Sequence, residues 1–167
     1  MDIGSKVVYP MHGAGIIVEV EKEDFYGKEM VYCTLNIVSK EMVLKFPLAT
    51  ADKLKIRDIT TTQTILDAMD QPMDREYLTT SNWNKRYQAT LDKMKIGTPD
   101  EMAQVIVNLK LHDLEKGLSS GERQLYHQAM DILTSEIMLI EDIDYDSAYN
   151  ILKTALEEVT TCEIPSE

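Results

Sequence analysis

Near residue 60 the hydrophobic period of this chain changes from that of strands to that of helices, so its two halves must fold as different kinds of structure. Before the change, short β-type runs alternate with turn residues: Lys6 to Tyr9, Gly15 to Phe25, Met30 to Ile37, Met42 to Phe46 and Leu54 to Ile59. Ile16, Val18 and Val20 alternate with Ile17, Glu19 and Glu21, and Tyr26-Gly27-Lys28 supplies a turn. Val31, Cys33, Leu35 and Ile37 then alternate with Tyr32, Thr34 and Asn36. Five strands at such tight spacing suit a small barrel of SH3 or Tudor type, with an edge left for a partner strand.

From Thr60 onward the spacing is helical. Thr61 or Thr62 can cap a short helix through Ile65, Leu66 and Met69, which ends before Pro72, and residues 71–78 read as an exposed connection. A second helix begins after Ser81 or Asn82, carries Trp83, Tyr87, Leu91 and Met94 at helical spacing, and stops at Gly97. Thr98-Pro99-Asp100-Glu101 joins a capping Thr to Pro at the first helical position and Glu three residues after the cap, leading into Met102, Val105, Ile106 and Leu109. Gly117 closes that helix and Ser119-Ser120-Gly121-Glu122 forms a second capping box, followed by Leu125, Ala129, Ile132, Leu133, Ile137 and Ile140. A last helix follows Asp144 to Asp146, with Ala148, Ile151, Leu152, Ala155 and Val159 inward. The expected fold is α+β in two domains: a Tudor-like or SH3-like β-barrel over residues 1–59 and an all-α bundle over 60–167.

Charge is distributed unevenly. The formal net charge is -12, yet residues 1–59 carry eight Lys/Arg against nine Asp/Glu, so the helical half holds the acid. Within that half, Lys85, Arg86, Lys93 and Lys95 against Asp92 make residues 79–98 a local basic island. The island contains the chain's only tryptophan, Trp83. A large aromatic in a first helical turn beside two cations can reach between bases while the cations hold phosphates; it can equally head the core stripe of its helix. On the residues alone the core reading is favoured. Net acidity argues against a protein that binds DNA unaided, because duplex affinity draws on many phosphate contacts.

Patterns for chemistry are incomplete. Gly117-Leu118-Ser119-Ser120-Gly121 matches the nucleophile-elbow spacing, but that motif needs a strand-to-helix turn and here it joins two helices. Asp142-Ile143-Asp144-Tyr145-Asp146 begins like a calcium loop, yet Ser147 stands where Gly is required and Lys153 where a bidentate Glu should sit. His12, His112 and His127 lack partners at zinc spacing, and Gly13-Ala14-Gly15 is followed by Val18 where a phosphate loop needs a third Gly. No catalytic residue, metal site, cofactor or small-molecule ligand is expected. No apolar run approaches bilayer length and Met1 to Lys6 lacks signal-peptide character, so a cytoplasmic protein without membrane contact is expected. Cys33 on a buried strand face and Cys162 near the C-terminus are expected to be reduced thiols rather than a disulfide.

Three blocks of sequence carry a family resemblance. Gly4-Ser5-Lys6-Val7-Val8-Tyr9-Pro10-Met11-His12-Gly13-Ala14-Gly15, then Ser81-Asn82-Trp83-Asn84-Lys85-Arg86-Tyr87, then Glu115-Lys116-Gly117-Leu118-Ser119-Ser120-Gly121-Glu122-Arg123 occur in that order. In this arrangement the chain resembles the CarD/CdnL family of bacterial transcription regulators over essentially its whole length. Its first block is also similar to the polymerase-binding module of the transcription-repair coupling factor.

The resemblance implies a Tudor-like module docked on the β subunit of bacterial RNA polymerase through the strand Met42, Val43, Leu44, Lys45 and Phe46. It also implies a helical domain held beside promoter DNA at the upstream edge of the transcription bubble. Trp83 would wedge into the minor groove there, and Lys85, Arg86 and Arg123 would contact the backbone. Polymerase thereby supplies the tether that an acidic protein needs. An alternative is a purely protein-binding polymerase adaptor whose helical half never meets DNA. The chain departs from the family pattern at Gln88 and Gln124, which stand where further cations occur, and at Glu23, which replaces a basic position of the polymerase-binding module.

Overall fold

A computed structural model describes residues 1–71 and 81–163. The N-terminal half is a five-stranded antiparallel sheet: β1 (Lys6–Tyr9), β2 (Gly13–Phe25), β3 (Lys28–Ile37), β4 (Met42–Pro47) and β5 (Arg57–Asp58). Its strand order is β4-β3-β2-β1-β5, a meander whose last strand returns beside the first. Phe25 pairs with Lys28 across a two-residue turn in which Tyr26 and Gly27 both have positive φ, 51° and 80°. A turn with both central residues left-handed matches the twist of the flanking strands. The sheet closes over Val7, Ile17, Cys33, Leu35, Ile37, Phe46, Ala51 and Ile56.

One expected alternation changes phase. The register of β2 against β3 shifts between Ile17 and Glu19, as in a β-bulge. Ile17 is buried, Val18 is 47% exposed, and Val20 again packs on the sheet core. The extra residue turns the far end of β2 so that Ile16 faces the helices while Val20 stays with the barrel.

The helical half contains, among the described residues, α1 (Thr62–Met69), α2 (Trp83–Ile96), α3 (Pro99–Lys116), α4 (Ser120–Glu141) and α5 (Tyr145–Glu163). The caps settle the alternatives left by sequence: Thr61 caps α1 and Asn82 caps α2, while Thr98 and Ser119 cap α3 and α4 as expected. Ser119 and Glu122 complete the reciprocal capping box. Gly97, with φ 73°, ends α2 in the left-handed conformation, and a Cβ there would lie 3.0 Å from Pro10. Apart from Gln71, the expected connection over 71–78 lies outside the described residues.

The inward stripes differ in detail from expectation. In α2 the fully buried positions are Arg86, Thr90 and Met94, with Tyr87 and Leu91 only half-buried. In α5 they are Ala148, Leu152, Leu156 and Thr160, while Ile151, Ala155 and Val159 flank the core. α4 is buried on nearly every side between Ile132 and Ile137, including Thr134, Ser135 and Glu136. That helix lies between the rest of the bundle and the barrel, which explains polar residues within a buried run.

The two halves share a core and a polar joint. Val8 and Ala14 of the barrel belong to the same apolar cluster as Ile106, Leu133 and Leu152. The Arg57 guanidinium grips Glu136 through two hydrogen bonds, at 2.7 and 2.9 Å, and its Nε donates to the Gly97 carbonyl at 2.9 Å. Glu136 also accepts from the Thr60 amide at 2.9 Å, and Ser135 Oγ accepts from the Ala14 amide at 2.8 Å. Such a bidentate pair fixes direction as well as distance.

Candidate nucleic-acid and partner-strand interfaces

Asn82 starts α2 by accepting the Lys85 amide on Oδ1 at 3.3 Å, which makes Trp83 the first residue of the helix. The indole is 41% exposed and stacks on Tyr87, with ring centroids 5.1 Å apart and planes 25° from parallel. Its Nε1–H donates to Ser119 Oγ at 2.7 Å, so the first turn of α2 leans on the cap of α4. Gly121 makes room for this: even a Cβ there would already touch Trp83 Cζ2 and Tyr87 Cε2 at 3.4 Å. Trp83 is therefore neither a core residue nor a loose surface ring. It is held along one edge and left accessible.

Two helix N-termini meet beneath the ring. Amides at a helix start present partial positive charge, which favours a nearby anion such as a phosphate. Lys85 and Arg123 are exposed on these same first turns. No acidic residue occupies the first turn of α2, and Glu122, the one in α4, is turned inward.

Arg86 is buried rather than exposed beside the ring. Its side chain is 9% exposed and its Nη2 and Nε donate to Glu122 Oε1 at 3.1 and 3.3 Å. Arg86 points inward from α2, and the Glu122 carboxylate receives its charge. Glu122 was not singled out for this role by sequence, because as the last residue of a capping box it already had a purpose. Gln88, where a further cation was noted as missing, donates to Asp92 at 2.8 Å on the helix surface.

Beside this pair lies a less complete polar site. Among the described residues, Asn108 Nδ2 and His112 Nδ1, on α3, are buried and have no hydrogen-bond partner. Burial, reinforced by the Arg86 charge, holds the His112 pKa below its ordinary value of 6.5.

The strand expected to meet polymerase is an edge of the sheet, since among the described residues β4 pairs only with β3. Met42, Leu44 and Phe46 face the barrel core, and Val43 and Lys45 face out, Val43 at 64% exposure. Lys45 is not a free cation: Nζ lies 2.5 Å from Glu23 and 3.1 Å from Glu21, and 5.4 Å from the Tyr32 ring centre. Glu23 and then Glu21 raise its pKa, and Lys45 in turn lowers that of Glu21. Glu23 thus forms an internal pair with Lys45 on the outer face.

The other sequence patterns resolve into structure. The elbow-like Ser119 serves as a helix cap, and Asp144 of the calcium-like segment accepts the Ser147 amide at 2.8 Å. Cys33 and Cys162 are both free thiols. No cluster of three or more metal-ligating side chains occurs among the described residues, and no described helix is long and apolar enough to cross a membrane.

Comparison with known proteins matches two family domains in succession. Residues 1–60 match the CarD-like/TRCF RID domain, and residues 64–153 match the CarD C-terminal domain. A Bacillus subtilis (strain 168) protein, YdeB, whose name provisionally describes a transcription factor, is 30% identical over 141 residues. That match covers 84% of this chain and 92% of the relative. With both family domains matched in order, on a Tudor-like sheet followed by helices, the chain belongs to the CarD family of bacterial transcription regulators.

Proposed function

We propose that this protein docks on the β subunit of RNA polymerase by adding the β4 edge to a partner strand, and that it acts on promoter DNA through Trp83. The observation that carries the reading is the state of the indole, 41% exposed yet fixed at the meeting of two helix N-termini. A ring so placed can enter a minor groove at the upstream edge of the bubble, while Lys85 and Arg123 engage phosphates on either side. Arg86 has no part in the contact set.

Unstacking a base step costs a few kcal/mol and is cheapest where the duplex is already opening, so a wedge favours the open complex over the closed one. The net charge of -12 makes binding to free DNA weak, and attachment to polymerase compensates by raising local concentration. In this reading the protein performs no catalytic step, needs no cofactor, and works in the cytoplasm with polymerase.

The acidity also favours the adaptor alternative, in which only the barrel is used. Trp83→Ala separates the two. It should leave the fold and polymerase binding intact and shorten open-complex lifetime about tenfold, the effect of roughly 1.4 kcal/mol. An unchanged lifetime would leave only the adaptor.

A further inference from the structure

The hydrogen bonds around Trp83 extend the Ser119–Glu122 capping box in two directions that capping does not require, to the indole on one side and to Arg86 on the other. Ser119 Oγ accepts twice, from the Glu122 amide at 3.2 Å and from the indole Nε1–H at 2.7 Å, which uses both lone pairs of the hydroxyl. Glu122 in turn spends one carboxylate oxygen on the Ser119 amide, at 3.3 Å, and the other on Arg86. Arg86 lies one turn of α2 beyond Trp83. Glu122 is 1% exposed and Arg86 8%, so this network contains a buried ion pair.

A buried ion pair adds little net stability over an apolar substitute of similar volume. A serine can cap a helix without an indole, and an exposed indole can donate to water. Here the two needs are joined at one oxygen, and the Nε1–Cζ2 edge of the ring lies along Ser119 and Gly121.

We infer that Ser119, Glu122 and Arg86 are positioning residues that orient the Trp83 indole before any partner arrives. Fixing the ring in advance removes an ordering cost from the encounter, which is how preorganisation raises affinity without a new contact. The functional consequence rests on the wedge reading above, whereas the orientation itself can be tested without DNA.

Because Trp83 is the only tryptophan, the full chain has one indole N–H resonance, and its position and hydrogen exchange report this bond. Ser119→Gly removes the acceptor while remaining a tolerated cap. It should move the resonance and accelerate its exchange tenfold or more, with the circular dichroism of the helices retained. Ser119→Thr, which keeps the hydroxyl, should restore both. Glu122→Gln keeps the shape of the side chain but removes its charge, and should shift the resonance in the same direction as Ser119→Gly.

On polymerase, Ser119→Gly should shorten open-complex lifetime severalfold, Ser119→Thr should not, and Ser119→Gly should add nothing once Trp83 is alanine. An indole resonance and exchange rate unchanged by Ser119→Gly would overturn the inference. So would a wild-type lifetime for Ser119→Gly when Trp83→Ala shortens it. If Trp83→Ala itself has no effect, the wedge reading fails and the resonance alone decides the orientation.

Discussion

His112 is 4% exposed and its Nδ1 has no partner among the described residues, so this ring resists protonation in the fold. Burial is the largest cause and the Arg86 and Lys116 charges add to it, with Glu122 and Glu115 opposing. His12 is lowered in the same sense, by burial and then Lys40. A histidine whose folded pKa lies below its unfolded value leaves the unfolded chain binding more protons, so stability rises with pH through that window. Stability should be fully present above pH 6.5 and should fall as pH drops below it, with a slope of at most about 1.4 kcal/mol per pH unit for each ring. Urea unfolding at pH 7 and pH 5 measures this, and His112→Gln should flatten the dependence; an unchanged slope would place the linkage elsewhere. The neighbouring Arg86 shows what a residue's identity leaves open. A cation beside an exposed aromatic reads as a phosphate ligand, but whether it meets a phosphate or a carboxylate depended on Glu122, 36 residues away in sequence and adjacent only in the bundle.

The elements that were legible in the sequence are those whose signals are local. Each helix start carried its own cap, and the Thr98 and Ser119 caps stand where their motifs placed them. The phase of β2 was less so, because a bulge is a property of the pair of strands and nothing in Ile17-Val18-Glu19 announces it. The inward faces of α2 and α5 were displaced for a related reason: apolar side chains mark a stripe only to within a neighbouring row, and Arg86, Thr90 and Thr160 complete it with polar groups. β4 bears the most direct test at this scale. Edge addition uses main-chain groups for affinity and the outward side chains for fit. Val43→Glu alters an outward side chain without touching the core, so it should change stability by less than about 0.5 kcal/mol. It should weaken binding to the isolated polymerase β lobe at least tenfold, as read by titration; retained affinity would mean that another surface docks.

At the scale of the molecule, the proposed function requires the β4 edge and the Trp83 ring to keep a fixed spacing, and the joint at Arg57 and Glu136 ties the two halves together. The change of period near residue 60 made the division of the chain visible, but not how the parts are held, since Arg57 and Glu136 lie 79 residues apart and Ala14 and Ser135 121 apart. Arg57 lies on β5, the strand at the opposite edge of the sheet from β4, so loosening the joint should leave the docking edge unaltered. Glu136→Ala removes the carboxylate that faces Arg57 and leaves a largely buried guanidinium to its remaining carbonyl partners, a change that typically costs about 3–5 kcal/mol. Denaturant unfolding should then lose its single sharp transition, with the sheet and the helices melting apart. Affinity for the β lobe should remain that of wild type, whereas open-complex lifetime should fall towards the Trp83→Ala value, because a tethered wedge with free orientation has a lower effective concentration at its site. Equal lifetimes for Glu136→Ala and wild type, with unfolding confirmed as biphasic, would show that the tether alone suffices and that the rigid joint serves stability only.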